Sequence, residues 1–399
     1  MILWIVVRNL RVRALLTALT LLGVALATAT ALVVPLVLRS LERGAAEAVQ
    51  VFDLLIAAKG SPTQAVLSSL YLLQPPIANL PYPLYERLAQ DPRGRYVVPL
   101  GFGDNYRGLP LIGTNPQVFE LRLKPLLPPY FRLRQGRPFQ ATYEAVLGAG
   151  AARETGLRMG DGFLSAHGFF ATQQEAAEAG EHHQEERYRV VGVLEPTGGP
   201  WDRAILVPIE GYWEVHGEGQ GQRQVTAVLF TGKRISDVYQ VAQEINRRGE
   251  AQAVFPGQVF AQTRDFLLQG QSAYGALALL VLALAALLVW QGVYAQGLER
   301  RRRTALLRAL GAGRGLVFSV VLLETLLEVA LGVLLGLLLG WGLAALGSGV
   351  LGERLGFFLP PPQLTADLVG RVLLLLPLGL LAALPPALQA AQQSPLEHL

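Results

Sequence analysis

Residues 14–38 read ALLTALTLLGVALATATALVVPLVL, a run of 25 without one charged side chain. A helix needs about 20 apolar residues to cross a hydrocarbon core of about 30 Å, so this run spans with some tilt. Arg8, Arg11 and Arg13 precede it. A cleaved signal peptide is the alternative, because Ala27-Thr28-Ala29 resembles a small-residue cleavage site. The apolar run continues to Leu38, however, well beyond a signal core of about 7–15 residues, and therefore reads as an anchor.

Working outward, the same reading applies to Tyr274–Val293, Leu316–Leu346 and about Val372–Leu388. Leu316–Leu346 exceeds the bilayer core and has to tilt or protrude. Gly347, Gly349, Gly352 and Pro360-Pro361-Pro362 are expected to form a loop before the last span. Pro377, Pro385 and Pro386 fall inside that span and are tolerated in membrane helices. Only 16% of the 399 residues are charged and mean hydropathy is +0.35, against about 25% charged in soluble domains. There is no cysteine, which excludes disulfides, thiolate metal sites and cysteine nucleophiles.

The loop Glu299–Arg314 carries six arginines and one glutamate, and the N-terminal flank three arginines and no acid. Positive flanks stay in the cytoplasm. Both lie on one side only if the region between the first two spans is outside. The expected fold class is thus an α-helical membrane protein with four transmembrane helices plus an α/β extracytoplasmic domain. Its parts are residues 1–38 (N-terminus and first span), 39–270 (outer domain with a helical stalk, Arg39–Gln50) and 271–399 (three spans). In the outer domain, strands are expected at Val51–Ala57, Tyr96–Leu100, Tyr188–Leu194, Arg203–Val207, Gln224–Phe230 and Ala251–Phe255. Val238, Val241 and Ile245 mark a helix over Ile235–Arg248. Strand, helix and strand in succession indicate an α/β layer, and the region is long enough for two subdomains with their own cores.

Between the second and third spans the chain reads ERRRRTALLRALGAGRG (299–315). Leu306, Leu307 and Leu310 recur at helical spacing, with Arg300, Arg302, Arg303 and Arg308 around them. By physics alone such a basic amphipathic helix either lies on anionic headgroups or docks in a partner's groove. The stretch resembles the cytoplasmic loop of the FtsX-like permease family, approximately E-R-x-R-E-I-x-x-L-R-A-[LI]-G-A. Glu299, Arg300, Arg302, Leu307, Arg308, Ala309, Leu310, Gly311 and Ala312 fall on the pattern, and Glu324 on a later acid. It departs around Thr304 and Ala305, where the family commonly has Glu and Ile. Arg8-Asn9-Leu10-Arg11 resembles the family's basic start, and the layout of the middle region is similar to the periplasmic part of MacB-type permeases. The resemblance implies a homodimer or heterodimer of permeases, each docked through this coupling helix (Arg300 to Gly311) on a separate ABC ATPase subunit that binds the ATP. It implies no cofactor of the chain's own. A periplasmic adaptor or lipoprotein is a further expected partner, with lipid around the spans and no nucleic acid. The implied location is the plasma (inner) membrane, multi-pass, with the large domain outside.

Gly332, Gly336 and Gly340 recur every fourth residue in the third span. They read as a packing seam, although 43 glycines in the chain make some matches fortuitous. Glu324 and Glu328 lie one turn apart in the same span. An acid in hydrocarbon costs roughly 2.5–3.5 kcal/mol, so each must face protein, water or a partner. Ion coupling is one reading, and placement near the cytoplasmic interface beside local arginines is the favoured one. His182 and His183, with Glu181, Glu185, Glu186 and His167, could hold a metal; a solvated loop with no metal is the favoured reading. No phosphate-binding G-x-x-x-x-G-K-[ST], H-E-x-x-H or G-x-S-x-G occurs, so no catalytic residue is expected. The function expected is a permease coupling a separate ATPase to export or extraction of a substrate. The alternative is a signalling subunit activating an extracytoplasmic cell-wall hydrolase.

Overall fold

The structure, a computed structural model, describes residues 2–124, 126–168, 187–216, 223–262, 312–355 and 359–392, with isolated positions 276, 280, 283, 284, 287 and 291. The chain divides into two compact units. One comprises Met1–Ser40, Leu267–Ser348 and Pro361–Leu399, the other Leu41–Phe266 and Gly349–Pro360.

The second unit is the α/β domain. Its strands are β1 (Leu54–Ala57), β2 (Leu80–Pro81), β3 (Gly94–Tyr106), β4 (Leu109–Thr114), β5 (Leu133–Gly136), β6 (Glu144–Leu147), β7 (Gly162–Phe163), β8 (Ala166–His167), β9 (Tyr188–Leu194), β10 (Ile205–Pro208), β11 (Gln224–Val225), β12 (Ala227–Gly232) and β13 (Gln252–Val254). The main sheet runs β13-β1-β12-β3-β4-β10-β6-β9-β5, parallel at β10/β4 and β6/β9.

β12 and β13 both lie antiparallel to β1 and are therefore parallel to each other. Helix Ile235–Arg248 joins them, which makes a split β-α-β unit. β1 is apolar throughout because both its faces are covered. Leu55 and Ala57 enter one core with Val66, Val98 and Leu229. Leu54 and Ile56 enter another with Val238, Val241 and Ile245.

β3 is longer than expected. Its first half pairs with β12 and its second half with β4, with a register shift between Phe102 and Asp104. The segment between β3 and β12 is thus built onto the edge of the split unit. It has its own core of Leu109, Leu111, Leu147, Val190, Ile205 and Val207, yet shares the sheet and is no separate body. Two boundaries also differ from expectation. The first helix runs to Gln50, as expected for the stalk, but β1 starts at Leu54 and not at Val51. Gln224–Phe230 is two strands, interrupted at Thr226, whose hydroxyl accepts from the Phe102 amide.

Asp202 is fully buried in this unit. It accepts from the Thr197 amide and hydroxyl at 2.7 and 2.9 Å and from the Gly198 amide at 3.1 Å. Burial outweighs these bonds and pushes its pKa up to about 6. The folded state therefore holds this proton more tightly than the unfolded chain does, whose aspartate titrates near about 3.9. The stability this provides is present at low pH and is lost as pH rises through about 6. Going from pH 7 to 5 should add about 1 kcal/mol more to wild type than to Asp202→Asn. Denaturant unfolding at both pH values checks this; equal shifts in the two proteins would contradict it.

In the first unit three helices among the described residues are long and apolar enough to cross a membrane: Ala14–Ala46, Arg314–Gly352 and Ala366–Gln389. The first belongs to a helix of 37 residues, Ala14–Gln50, which contains Pro35. The second belongs to a continuous helix of 42, Arg314–Leu355. Gly347, Gly349 and Gly352 are accordingly helical and not part of a loop. The last combines Ala366–Leu373 and Leu375–Gln392. The expected span Tyr274–Val293 falls largely outside the described residues.

Candidate functional site

The first and the 314–355 helices pack against each other along most of the first span. A methyl group on Gly332 would lie 2.7 Å from Val24 Cβ, and one on Gly340 would lie 3.1 Å from Ala29 Cα. On Gly336 it would collide with Thr28 and stand 2.7 Å from the Ala25 carbonyl oxygen. The three glycines thus form one face on which the backbones approach closely. Ala27-Thr28-Ala29, the cleavage-like tripeptide, lies within this seam, with Thr28 and Ala29 fully buried. Contacts advance in the same sense on both helices, Val24 to Gly332, Thr28 to Gly336 and Leu32 to Gly340, so the helices are parallel. Their N-terminal ends share one side of the membrane.

Glu324 and Glu328 are buried at the N-terminal end of this seam. The Asn9 amide donates to Glu324 Oε1 at 2.6 Å, and the Thr17 hydroxyl donates to Glu328 Oε1 at 3.1 Å. Two of the bonds to these acids therefore come from neutral side chains of the N-terminal segment. A buried carboxylate needs donors, and these bonds tie the N-terminal segment to the 314–355 helix. Sequence reasoning did not assign Asn9 and Thr17 this role. Their signal was faint: two neutral polar residues in a segment where Arg8, Arg11 and Arg13 dominate the reading as a positive flank.

The final span runs antiparallel to the 314–355 helix. Gly379 packs on Val329, while Ala387 clusters with Val317 and Val321. At the opposite end of the bundle Arg39 binds Asp367 at 2.7 Å and donates to the Thr365 hydroxyl. One helix end thus carries the acid–amide contacts and the other a clamped arginine. The expected coupling residues Arg300, Arg302, Arg303, Leu306, Leu307, Arg308, Leu310 and Gly311 lie outside the described residues, as do His182 and His183. The described chain resumes at Ala312, immediately before the helix that begins at Arg314.

Apolar spans packed in this way, joined to a mixed α/β domain, define a multi-pass membrane protein with its large domain outside. Residues 17–248, more than half of the chain, match the MacB-like periplasmic core domain. Residues 275–395 match the FtsX-like permease C-terminal family. The chain belongs to the MacB/FtsX-like permease family of ABC transporters. Among solved structures it is similar to the extracellular domain of the noncanonic ABC-type transporter YknZ from Gram-positive bacteria. The identity is 13% and the TM-score 0.32, over 51% of this chain and 98% of that one. It is also similar to the periplasmic region of MacB from Actinobacillus actinomycetemcomitans, at 12% identity and a TM-score of 0.35, over 54% and 95% of the two chains. No curated protein matches the chain.

Proposed function

We propose that the chain couples a separate ATPase to export or extraction of a substrate at the membrane. The observation that carries this reading is the parallel seam between the first span and the 314–355 helix. The second of these follows directly on the arginine-rich loop. It is a single rod of 42 residues, about 63 Å at about 1.5 Å per residue, roughly twice the hydrocarbon core. A push on its N-terminal end travels to its far end, and the seam shares it with the first helix. Such a device moves an outer domain without needing a continuous pore.

The loop 299–311 is the docking segment in this reading. Leu306, Leu307 and Leu310 form the apolar ridge, and Arg300, Arg302, Arg303 and Arg308 flank it. ATP binds on the partner and the chain itself catalyses nothing. The permeases act as a homodimer or heterodimer, with an adaptor or lipoprotein outside.

The same seam supports the four-span count. The first helix leaves the cytoplasmic side, and the 314–355 helix, parallel to it, must leave from that side again. One return crossing is therefore needed between them, and Tyr274–Val293 is the apolar segment available. Without native cysteines, single cysteines report cleanly. In intact cells an impermeant thiol reagent should label Ser61→Cys and spare Thr304→Cys. Equal labelling of the two would refute the four-span arrangement. Pull-down with the full-length protein then tests the outer function: an adaptor or lipoprotein supports transport, whereas a cell-wall hydrolase favours the signalling role.

A further inference from the structure

Asp104, His167 and His216 are far apart in the sequence and converge in the α/β domain. The register shift in β3 delivers Asp104, β8 places His167 directly opposite it, and His216 follows helix Ile209–Val215. Asp104 Oδ1 lies 3.3 Å from His167 Nδ1 and 3.2 Å from His216 Nε2. One donor atom from each residue lies within 4.8 Å of the others. The carboxylate is buried, while the His167 side chain is 46% exposed and gives access from solvent.

The protonation pattern of His216 is fixed by its other nitrogen. Its Nδ1 stands 2.7 Å from the Tyr212 carbonyl oxygen, which can only accept. Nδ1 therefore carries the hydrogen, and in a neutral ring Nε2 points a lone pair at the Asp104 carboxylate. A proton or a metal ion between them would relieve this. A proton held between imidazolium and carboxylate draws the atoms to about 2.7–2.9 Å. Two ligand atoms each about 2.0–2.1 Å from a tetrahedral zinc ion are about 3.3–3.4 Å apart. The observed 3.2 and 3.3 Å fit the second.

The surroundings hold the three residues in place, as metal ligands require. The Tyr212 hydroxyl donates to the Phe102 carbonyl at 2.9 Å. Its ring packs against Gly101, Gly103 and Gly113, where added side chains would collide with it. The Asn105 amide donates to the carbonyls of Ala166, His167 and Gly168 at 3.3, 3.2 and 2.9 Å, which pins β8. We propose that Asp104, His167 and His216 form a divalent metal site of the zinc class, with the fourth position taken by water or an external ligand. Two imidazoles and one carboxylate suit zinc among the first-row ions. This departs from the expectation that the chain binds no metal, and it stands independently of any role in ATPase coupling.

The test uses full-length protein in nanodiscs, stripped with a chelator and titrated with Zn²⁺ alone, with Co²⁺ as a visible-absorption probe. Wild type should take up one ion per chain and unfold at a higher temperature with zinc. His182→Gln/His183→Gln should behave as wild type. His167→Gln and His216→Gln should bind zinc at least about tenfold more weakly and lose the thermal shift. His167 is largely exposed, so its variant keeps the core intact, and its unfolding temperature in chelator verifies this. The proposal is overturned if wild type takes up no zinc, if His167→Gln binds as tightly as wild type, or if only the His182/His183 variant loses the ion.

Discussion

Gly336→Leu is expected to abolish the stable assembly of the membrane helices. Even the Cβ of alanine at this position would press on Thr28 and stand 2.7 Å from the Ala25 carbonyl oxygen. That oxygen belongs to helical backbone and cannot rotate aside, so the first span has to move. Overpacking of a well-filled site costs about 1–3 kcal/mol, and leucine adds three more carbons than alanine at the closest point of the seam. Gly336→Ala should lower the unfolding temperature in detergent measurably, and Gly336→Leu should prevent recovery of monodisperse protein. Gly342 is the internal control, because nothing lies within 4 Å of a Cβ placed there. Gly342→Leu should behave as wild type. Equal tolerance at 336 and 342 would mean that lipid, and not the first span, covers Gly336.

Displacement of the seam also predicts a functional loss at its end. Asn9 and Thr17 reach Glu324 and Glu328 only while the two helices keep their register. A shift of one turn would break both of these bonds. The glycine variants should therefore impair activity even where some folded protein survives.

How much of this is legible in the sequence depends on the range of the contacts. Helix Ile235–Arg248 is announced by Val238, Val241 and Ile245 at helical spacing, and it buries those residues. β9 coincides with the apolar run Tyr188–Leu194. Both signals are local. β3 is legible only up to Leu100, because Gly101, Gly103, Asp104 and Asn105 read as turn residues. What keeps them extended is remote. Tyr212 lies on the surface that Gly101 and Gly103 leave open, and Asn105 is engaged by β8. The glycine spacing in the 314–355 helix is legible, whereas the identity of the facing residues, Val24, Thr28 and Ala29, is not. Spacing reports one face of one helix and carries no information about its partner. The loop is the opposite case, legible as a motif over 299–315, with residues 299–311 outside the described residues. Asp104, His167 and His216 share no local spacing, so only the sheet register brings them together.

The coupling loop carries the largest functional prediction. A ridge of Leu306, Leu307 and Leu310 seated in a groove on an ATPase would be desolvated at its centre. Truncating such an anchor costs about 2 kcal/mol or more, roughly a thirtyfold loss of affinity. Leu307→Ala/Leu310→Ala should exceed that, and Arg308→Glu should add repulsion against any acidic surface that the arginine faces. Neither change touches the spans, so insertion should be normal. A loop that served only as a headgroup anchor would behave differently: the arginine change would loosen its hold on anionic lipid and leave protein partners unaffected.

The most direct test is co-purification of the partner ATPase, with its hydrolysis rate measured in nanodiscs of fixed lipid composition, for wild type, Leu307→Ala/Leu310→Ala and Arg308→Glu. Permease coupling through residues 299–311 predicts that both variants insert normally yet release the ATPase or uncouple its hydrolysis. Full retention of the ATPase at the wild-type rate by both variants would contradict it.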